Sequence, residues 1–596
     1  MRNIAATTLA LALAFAAFTY ARGQPAVPQP AIVPADLNVV GHLDAGAGPG
    51  NITDLWAHTA VNGRAYAYLG TFDEPSCDPG ITGVHVIDIT DPANPRKAAF
   101  IQAPPGTRVN DVTVARIKTA SFTGDVLVHS LEVCRSARAE GQAVTAGISL
   151  YDVTDPLSPK PLAQNFLGFE VHNVFVYQQA GRPFVMVVED GGDRDFHIVD
   201  ISDPARPVEV SARGWRDWFD PQKDQLFLGA FPEPLMHDFW AQSYPAKHPN
   251  RRYAGKTIAY LAYWDAGLVV LDITDPSNPV FLGDSDYADP DPLSREPPEG
   301  NSHDVAPTAD GDYVFMGDED FTPARTIFSV EDGPFPGEHR AVEATFTPAI
   351  ERLPGGVLSG PTTLVGRACE GDIIPAPAAA DLAPGEKQIA LVERGGCTFG
   401  EKIARIAAAG YGGAVIFNSA DAPDQIGPMQ GDRDREVVPA LLVTRATGFA
   451  ILGMPAQSPP SAALPAPGTA GRRVKARSVA DGWGYGRILD VRDPARITEV
   501  GRFALANVFA FPPPPGDHSM HDVVVDGRRA YISWYADGVR VVDFRDPRNP
   551  VEVASFVDPE GSDFWGIFLF RHPNGKPYLM GSDRDTGLWI FDVPPS

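Results

Sequence analysis

One short pattern recurs seven times along the chain and constrains the fold more than any other feature. Each copy is an apolar segment that ends in Asp, and in six copies a second Asp followed by Pro comes three residues later. Internal repeats of this kind mean that each copy forms the same structural unit. The copies are GVHVIDITDPANP (83–95), GISLYDVTDPLSP (147–159), DFHIVDISDPARP (195–207), GLVVLDITDPSNP (267–279), YGRILDVRDPARI (485–497), GVRVVDFRDPRNP (538–550) and GLWIFDV (587–593).

Each copy has the pattern of a buried strand followed by a turn. A nearly continuous apolar run is expected where both faces of a sheet are covered. The Asp-Pro pair then ends the strand, because Pro cannot donate to a sheet ladder and Asp accepts hydrogen bonds from turn amides. In the sixth unit two further strands precede the repeat and one follows it, at residues 521–526, 528–535 and 550–556.

Four short antiparallel strands in each unit, repeated about every 50 residues or more, predict the blades of a β-propeller. The last unit has only three strands, whereas LNVVGHL (37–43) near the start of the chain is otherwise unassigned. We expect this segment to supply the fourth strand, so that the ring closes without an open edge. The predicted fold is mainly β, a seven-bladed propeller closed by an N-terminal strand.

The repeat resembles that of the LVIVD family of exported propeller proteins. The sequences VLDITDPSNP and VVDFRDPRNP carry the resemblance, which covers most of residues 37–323 and 483–596. It implies a propeller architecture and a surface location, and it implies no particular reaction.

A long insertion interrupts the repeats. The repeat residues Asp272 and Asp490 are 218 positions apart, whereas the other intervals are 48 to 72. We therefore expect residues 324–482 to form an insertion in blade five. Exposed loops accept insertions at low cost, so an inert insertion is one interpretation.

The insertion resembles a protease-associated (PA) domain over about residues 343–470. The resemblance rests on ACEGD, which contains Cys369, on ALVERGGCTF, on a predicted helix with the exit AAAGYGGAVIFN, and on VPALLV. It implies an α/β module that is not itself catalytic and that gates or binds peptides.

The chain begins with the pattern of a secretory signal peptide. Arg2 precedes an apolar run that is too short to span a bilayer, and Ala21 and Gly23 precede an expected cleavage site before Gln24. We therefore expect a signal peptide at 1–23, a Pro/Ala-rich leader at 24–36, and a secreted or periplasmic protein whose mature chain has no membrane span.

The four cysteines fit an exported protein. Their positions favour two disulfides, Cys77–Cys134 and Cys369–Cys397, one in each predicted domain. Metal binding by thiolates is the weaker interpretation, because no pair has Cys-x-x-Cys spacing. The formal net charge of −26 makes nucleic acid an unlikely partner, since an acidic surface repels phosphate.

Comparing equivalent positions in the seven units separates structural residues from candidate functional ones. Two residues open each innermost strand, and the second is Asp or Asn in every unit, which indicates a structural turn. The first is His in four consecutive units only. The pairs are Thr53-Asp54, Asn110-Asp111, His172-Asn173, His237-Asp238, His303-Asp304, His521-Asp522 and Ser562-Asp563.

Because the innermost strands surround the central channel, His172, His237, His303 and His521 are expected to point toward one mouth of it. Imidazole suits Cu, Zn and Fe, and nearby carboxylates can orient the rings. The ends of the second strands reach the same face and supply an expected outer shell or acidic rim. Its members are Glu189, Asp190, Asp265, Asp318, Asp320, Asp537 and Asp583, with Glu319 beside them in GDED.

Two alternatives to a metal bound by the histidines stay open. One is that the histidines only bond to their neighbours around the channel. The other is that Ca²⁺ binds to the carboxylates alone, although no EF-hand-like spacing is present. Tryptophans 240, 264, 534 and 565 lie near strand ends and are interpreted mainly as packing between blades.

Two classes of function remain. The first is an exported binding protein whose propeller and PA domain contact a peptide, a protein or a cell-envelope ligand. The second is a metal-dependent enzyme, an oxidase or hydrolase, that uses the four histidines. The His-Asp-Val opening also resembles the selenium-binding protein family, propellers with metal-binding histidines that include thiol-oxidising enzymes. No catalytic residue or oligomeric state is predicted.

Overall fold

A computed structural model describes residues 35–595, apart from 74–76, 140, 190–193, 219–234, 265, 286–300, 322, 378–381, 428, 430–437 and 481. It contains seven blade sheets in a propeller and a separate eight-stranded sheet. The predicted fold class, a mainly β seven-bladed propeller with a PA domain, is confirmed. The expected signal peptide (1–23), most of the leader, and residues Asp190 and Asp265 lie outside the described residues.

The first three blades follow in chain order. Strands β1 and β2 lie at Ala35–Asp36 and Val39–Leu43. Blade one contains β3 to β6, at Ile52–Thr59, Ala65–Thr71, Gly83–Asp88 and Arg96–Gln102. Blade two contains β7 to β11, at Thr107–Arg108, Val112–Lys118, Thr123–Val133, Ala146–Asp152 and Lys160–Gly168. Helix α1, at Arg135–Ala139, lies between β9 and β10. Blade three contains β12 to β15 and then helix α2, at Val171–Gln179, Arg182–Glu189, Phe196–Asp200, Val208–Arg213 and, for the helix, Trp215–Trp218.

Blade four is complete before the insertion, and blade five is not. Blade four contains β16 to β19, at Met236–Ser243, Thr257–Tyr263, Gly267–Asp272 and Val280–Asp284. Blade five begins with β20 and β21, at Ser302–Pro307 and Tyr313–Asp318.

The insertion forms its own α/β unit between β21 and the rest of blade five. Its strands are ordered β23-β22-β29-β25-β26-β27-β28-β24. Strands β22 to β29 lie at Ala324–Val330, Gly337–His339, Ala341–Glu343, Val357–Leu364, Ile389–Glu393, Gly413–Phe417, Ala440–Val443 and Ala470–Ala480. Helices α3 and α4 lie at Phe399–Ala408 and Arg445–Ile451, and 3₁₀ turns lie at Ile350–Arg352 and Pro354–Gly356.

The strand–helix–strand order predicted for the PA region is present, and each helix starts at a capping threonine. The hydroxyl of Thr398 accepts a hydrogen bond from the N–H of Glu401, and that of Thr444 accepts one from the N–H of Thr447. Such caps satisfy N–H groups that have no partner within the helix.

The last blades follow the insertion. Blade five is completed by β30 and β31, at Gly486–Asp490 and Thr498–Phe503. Blade six contains β32 to β35, at Val523–Asp526, Arg529–Trp534, Gly538–Asp543 and Val551–Phe556. Blade seven contains β36 to β38, at Phe564–Arg571, Pro577–Asp583 and Gly587–Asp592. Single 3₁₀ turns lie at Pro494–Arg496 and Ala506–Phe509.

The two ends of the described chain meet in blade seven. Strand β2 pairs antiparallel with β38, with Leu43 opposite Leu588. Blades seven and one also share an apolar core that includes Leu55, Leu69, Met580 and Ile590. Fully burying an aliphatic side chain of this size contributes about 1.5 to 3 kcal/mol, so this interface stabilises the closed ring.

A glycine opens the third strand in five of the seven repeats, and two of them show why. Gly538 has a φ of +81°, and a Cβ added there would lie 2.0 Å from the carbonyl oxygen of Phe556. Gly587 has a φ of +101°, and its added Cβ would lie 2.4 Å from the carbonyl oxygen of Leu43. Only glycine fits both the left-handed backbone and the close approach of the outermost strand.

In the six repeats that have two aspartates, these residues hold the turn that follows. In blade four, Oδ1 of Asp272 accepts a hydrogen bond of 3.0 Å from the N–H of Thr274, and Oδ1 of Asp275 accepts one of 3.0 Å from the N–H of Ser277. This is the turn-stabilising role expected from the sequence.

Both predicted disulfides are present. The Cα atoms of Cys77 and Cys134 are 6.1 Å apart, and those of Cys369 and Cys397 are 5.7 Å apart. Among the described residues, no helix is both long and apolar enough to cross a bilayer. The disulfides are compatible with an extracellular or periplasmic location.

Candidate metal centre

Four histidines lie side by side where the first strands of blades three to six begin. His172, His237 and His303 stand in β12, β16 and β20, and His521 precedes β32. Neighbouring ring centroids are 4.4 Å apart for His172 and His237, 3.9 Å for His237 and His303, and 4.2 Å for His303 and His521. The structure therefore brings together residues that span 350 positions of the chain.

Hydrogen bonds to the Nδ1 atoms set the tautomers of three of these rings. Nδ1 of His237 lies 3.2 Å from the carbonyl oxygen of His303, and Nδ1 of His303 lies 3.0 Å from that of His521. A carbonyl oxygen only accepts, so both Nδ1 atoms carry hydrogen. Nδ1 of His172 lies 2.5 Å from Oε1 of Glu132 and donates to that carboxylate in the same way. When the rings are neutral, the lone pair is therefore on Nε2.

The Nε2 atoms of the first two histidines face each other. Those of His172 and His237 are only 2.9 Å apart. Two lone pairs at this distance repel unless a proton or a metal ion lies between them. Nε2 of His521 is buried and has no hydrogen-bond partner within the described part of the chain. Buried polar atoms without partners are uncommon in native structures and often mark an ion or water.

Burial keeps most of the cluster uncharged. It lowers the pKa of His237, His303 and His521 well below that of a free imidazole, with further repulsion from neighbouring histidines or Arg584. Neutral imidazole is the form that binds metal, so these three rings are in a ligating form at neutral pH.

Glu319 adds a carboxylate to the same cluster. Its oxygens lie 3.7 Å from Nε2 of His303 and 4.0 Å from Nε2 of His521, and the hydroxyl of Tyr535 donates to it at 2.5 Å. One ligand atom from each of His303, Glu319 and His521 lies within 4.8 Å of the others. Burial raises the pKa of Glu319 to about 7, although the Tyr535 hydrogen bond opposes the shift.

Glu132 orients the first histidine and was missed in the sequence. It stands at the end of the second strand of blade two, the same kind of position that predicted the acidic rim in other blades. Burial acts to raise its pKa, but the His172 ring and the Arg108 guanidinium hold that pKa below its usual value. The acidic rim was predicted from acidic residues at the ends of second strands, and the same criterion applied to blade two identifies Glu132.

Two tryptophans contact the cluster directly, which differs from the packing role expected for them. The Trp264 ring lies 5.4 Å from that of His237, and the Trp565 ring lies 4.3 Å from that of His521. Both indole rings therefore form part of the immediate surroundings of the histidines.

The aspartates in the second position of the pairs that open the innermost strands connect neighbouring blades. Oδ2 of Asp111 accepts a 2.7 Å hydrogen bond from the N–H of Val174 in the next blade. Oδ2 of Asp304 accepts one of 2.6 Å from the N–H of Val523 in blade six. The turn role expected for this position thus extends across blade boundaries.

The rim carboxylates other than Glu319 have partners of their own. Asp318 pairs with Arg487 at 2.6 Å, Asp537 pairs with Nδ1 of His518 at 2.8 Å, and Glu189 pairs with Nε2 of His197 at 3.3 Å. Asp320 accepts a hydrogen bond from the N–H of Trp483, and Asp583 accepts bonds from its own turn. Asp190 and Asp265 lie outside the described residues.

A cleft of about 700 Å³ opens beside the cluster. Asp320 lines it next to Glu319, and Phe321 lines it while packing 5.6 Å from the ring of Tyr535. The propeller provides one wall and the turn at Glu351–Gly356 in the insertion provides the other.

Two family models match parts of the chain. The PA domain model matches residues 360–451, and the LVIVD repeat model matches residues 190–212 and 258–286. The protein is a seven-bladed propeller that carries LVIVD repeats and a PA domain. The LVIVD propeller with its PA domain fits a binding or interaction role.

Solved structures similar to the LVIVD propeller are distant. Saccharomyces cerevisiae Sqt1 is 8% identical with a TM-score of 0.40, covering 94% of this chain and 100% of its own. A Penicillium chrysogenum alpha-L-arabinanase is 11% identical with a TM-score of 0.32, covering 49% and 82%. BSAP, a zinc aminopeptidase from Bacillus subtilis, is 16% identical with a TM-score of 0.18, covering 30% and 36%. No curated protein matches the sequence. We draw no functional conclusion from these similarities.

Proposed function

We propose that this protein is an exported binding protein that holds a transition-metal ion, Cu, Zn or Fe, at its channel mouth. The candidate ligands are the Nε2 atoms of His172, His237, His303 and His521 and the Glu319 carboxylate. Among them, ligand atoms of His303, His521 and Glu319 lie within 4.8 Å of one another, and His172 and His237 form the neighbouring pair. Cu, Zn and Fe all accept imidazole nitrogen, and a carboxylate is compatible with each.

The 2.9 Å contact between the Nε2 atoms of His172 and His237 is the observation that carries this proposal. Their Nδ1 atoms are already committed as donors to Glu132 and to a carbonyl group. A proton shared between the two rings is the alternative explanation. His172, which donates to the Glu132 carboxylate, would then carry the charge, whereas burial opposes that charge in His237.

Elemental analysis of untagged protein tests the metal centre. We expect stoichiometric Cu, Zn or Fe in the wild type and its loss in the double variant His237→Ala, His303→Ala. The control is His42→Ala, His248→Ala, which also removes two histidines but lies outside the cluster and keeps the metal. Metal-free wild-type protein, or metal retained by the first variant, would contradict the proposal.

X-ray absorption on the wild type provides a test that does not depend on a variant folding. The metal edge should show imidazole scattering from several nitrogen ligands and no sulfur ligand. A spectrum without imidazole scattering would place the metal elsewhere.

A metal-dependent oxidase or hydrolase is the second candidate, and the adjoining cleft is the observation that favours it. The cleft has the size of a small-molecule site and approaches Glu319 through Phe321 and Tyr535. Oxygen uptake with a small thiol and hydrolysis of a p-nitrophenyl ester measure the two reactions. Turnover by wild type that the His237→Ala, His303→Ala variant lacks would favour the enzyme, and no turnover by either leaves the binding function.

A further inference from the structure

We infer that the cleft beside the metal centre binds an extended peptide that carries a basic side chain. This inference deepens the binding function proposed above, because it names the partner class and the surface, and it does not require the metal. The contact surface is shared between the Pro-rich loop at 511–516 and the insertion turn at 350–356, which precedes the part matched by the PA model.

The walls of the cleft are apolar and partly exposed. Phe321 and Phe511 line it and are 51% and 38% exposed, although large aromatic side chains are usually more buried. Leu353 and Pro512 to Pro514 complete the walls. The prolines offer no N–H groups, so this surface recognises a ligand by packing. The aliphatic stem of Lys or Arg packs well against such aromatic and proline surfaces.

The floor and rim of the cleft carry excess negative charge. Glu351, Asp517 and Asp320 line it, whereas its basic residues are Arg352 and His518. The Arg352 side chain is 82% exposed and its Nε lies 3.8 Å from Glu351, so it neutralises that carboxylate only weakly. Nδ1 of His518 is already paired with Asp537. A cationic group from a ligand therefore complements the cleft.

The position of the two carboxylates favours a ligand that spans the cleft. Glu351 belongs to the insertion, and Asp517 belongs to the loop before blade six. A peptide lying in the cleft meets a carboxylate from each of these two segments, while its neighbouring residues pack on Phe511 and the prolines. A volume of about 700 Å³ lies within the range of binding pockets and accepts a few residues. The net charge of −26 also speeds the approach of a cation.

Fluorescence anisotropy with two labelled octapeptides tests the inference on the full-length protein. Both probes are Ala- and Pro-containing peptides of identical sequence except for a central Lys or Glu. We expect the Lys peptide to bind and the Glu peptide to bind at least about tenfold more weakly. The double variant Glu351→Gln, Asp517→Asn should weaken Lys-peptide binding about fivefold, as expected for the loss of two partly exposed ion pairs.

Two controls separate the cleft from general charge and general apolarity. Glu338→Gln, Asp424→Asn removes the same charge from the insertion outside the cleft and should leave binding unchanged. Phe511→Ala should weaken both peptides, whereas Phe100→Ala, at a similarly exposed phenylalanine on blade one, should not.

Three results would overturn the inference: no Lys-peptide binding by the wild type, equal binding in the cleft and control variants, or displacement by spermidine as effective as by unlabelled peptide. The last result would mean that charge alone is recognised. Metal content measured on the same samples keeps the two proposals separate, since peptide binding can fail while the metal centre is intact, and the reverse.

Discussion

At the scale of single residues, the candidate centre depends on how each histidine is held as well as on its presence. Carbonyl groups of the next blade fix His237 and His303, whereas His172 depends on the carboxylate of Glu132. Glu132 is in turn held by Arg108, whose guanidinium donates to it at 2.7 Å. Partners that orient a ligating imidazole commonly tune metal affinity, so Glu132 is the residue most open to test.

Replacing Glu132 with Gln should lower metal affinity about 10- to 100-fold, because a neutral amide orients the His172 ring less firmly and makes its Nε2 a weaker donor. A competition titration against a chelator measures the change. Glu386→Gln, which removes a carboxylate paired with Arg473 in the insertion, is the matched control and should leave affinity unaltered. Equal affinities for all three proteins would show that Glu132 has no part in holding the metal.

At the scale of elements, each blade depends on the close approach between the start of its third strand and the backbone of its outermost strand. The glycine at its start allows that approach, and the Asp-Pro turn at its end returns the chain to the fourth strand. Both features repeat from blade to blade, which is why they are visible in the sequence.

Replacing Gly538 with Ala should lower the free energy of unfolding by about 2 to 4 kcal/mol, because strain at positive φ adds to a backbone collision. Gly527→Ala is the control within the same blade, since Gly527 has a φ of +64° but open space around it, and it should cost only about 1 kcal/mol. Chemical denaturation of both variants measures the difference. Similar losses would mean that the approach of Phe556 does not constrain this position.

At the scale of the whole molecule, the insertion is attached through paired strands. Its first and last strands, β22 and β29, run antiparallel, with Ala324 opposite Ala480. The two ends are therefore close together, as in other domains that tolerate insertion into a host. The propeller keeps its own inter-blade cores, and the insertion has separate cores around Leu391 and Ile403.

Excising residues 324–480 and joining the ends with a short Gly-Ser linker should leave a folded propeller that retains its metal and loses Lys-peptide binding, because Glu351 leaves with the insertion. Thermal unfolding, elemental analysis and the anisotropy assay measure these three outcomes. Peptide binding that survives excision would contradict the shared cleft, and an unfolded product would show that the propeller needs the insertion.

Much of the architecture could be predicted because the same strand and turn pattern occurs several times in the sequence. Strand, turn and glycine preferences depend on near neighbours, so the sequence alone predicted the blade pattern and the PA elements. The cysteine pairs could be predicted because each domain contains two cysteines. The His positions were readable for a related reason: equivalent positions in a closed ring meet at one opening.

What surrounds those histidines was decided only by the tertiary structure. Competing partners decide which carboxylate lies near the cluster. Asp318 forms an ion pair with Arg487, while Glu319, one residue later, lies near the histidines. Glu132, Trp264 and Trp565 reach the cluster from separate blades, and the cleft exists only where the insertion meets the propeller. Such contacts depend on distance in space, which local sequence does not specify.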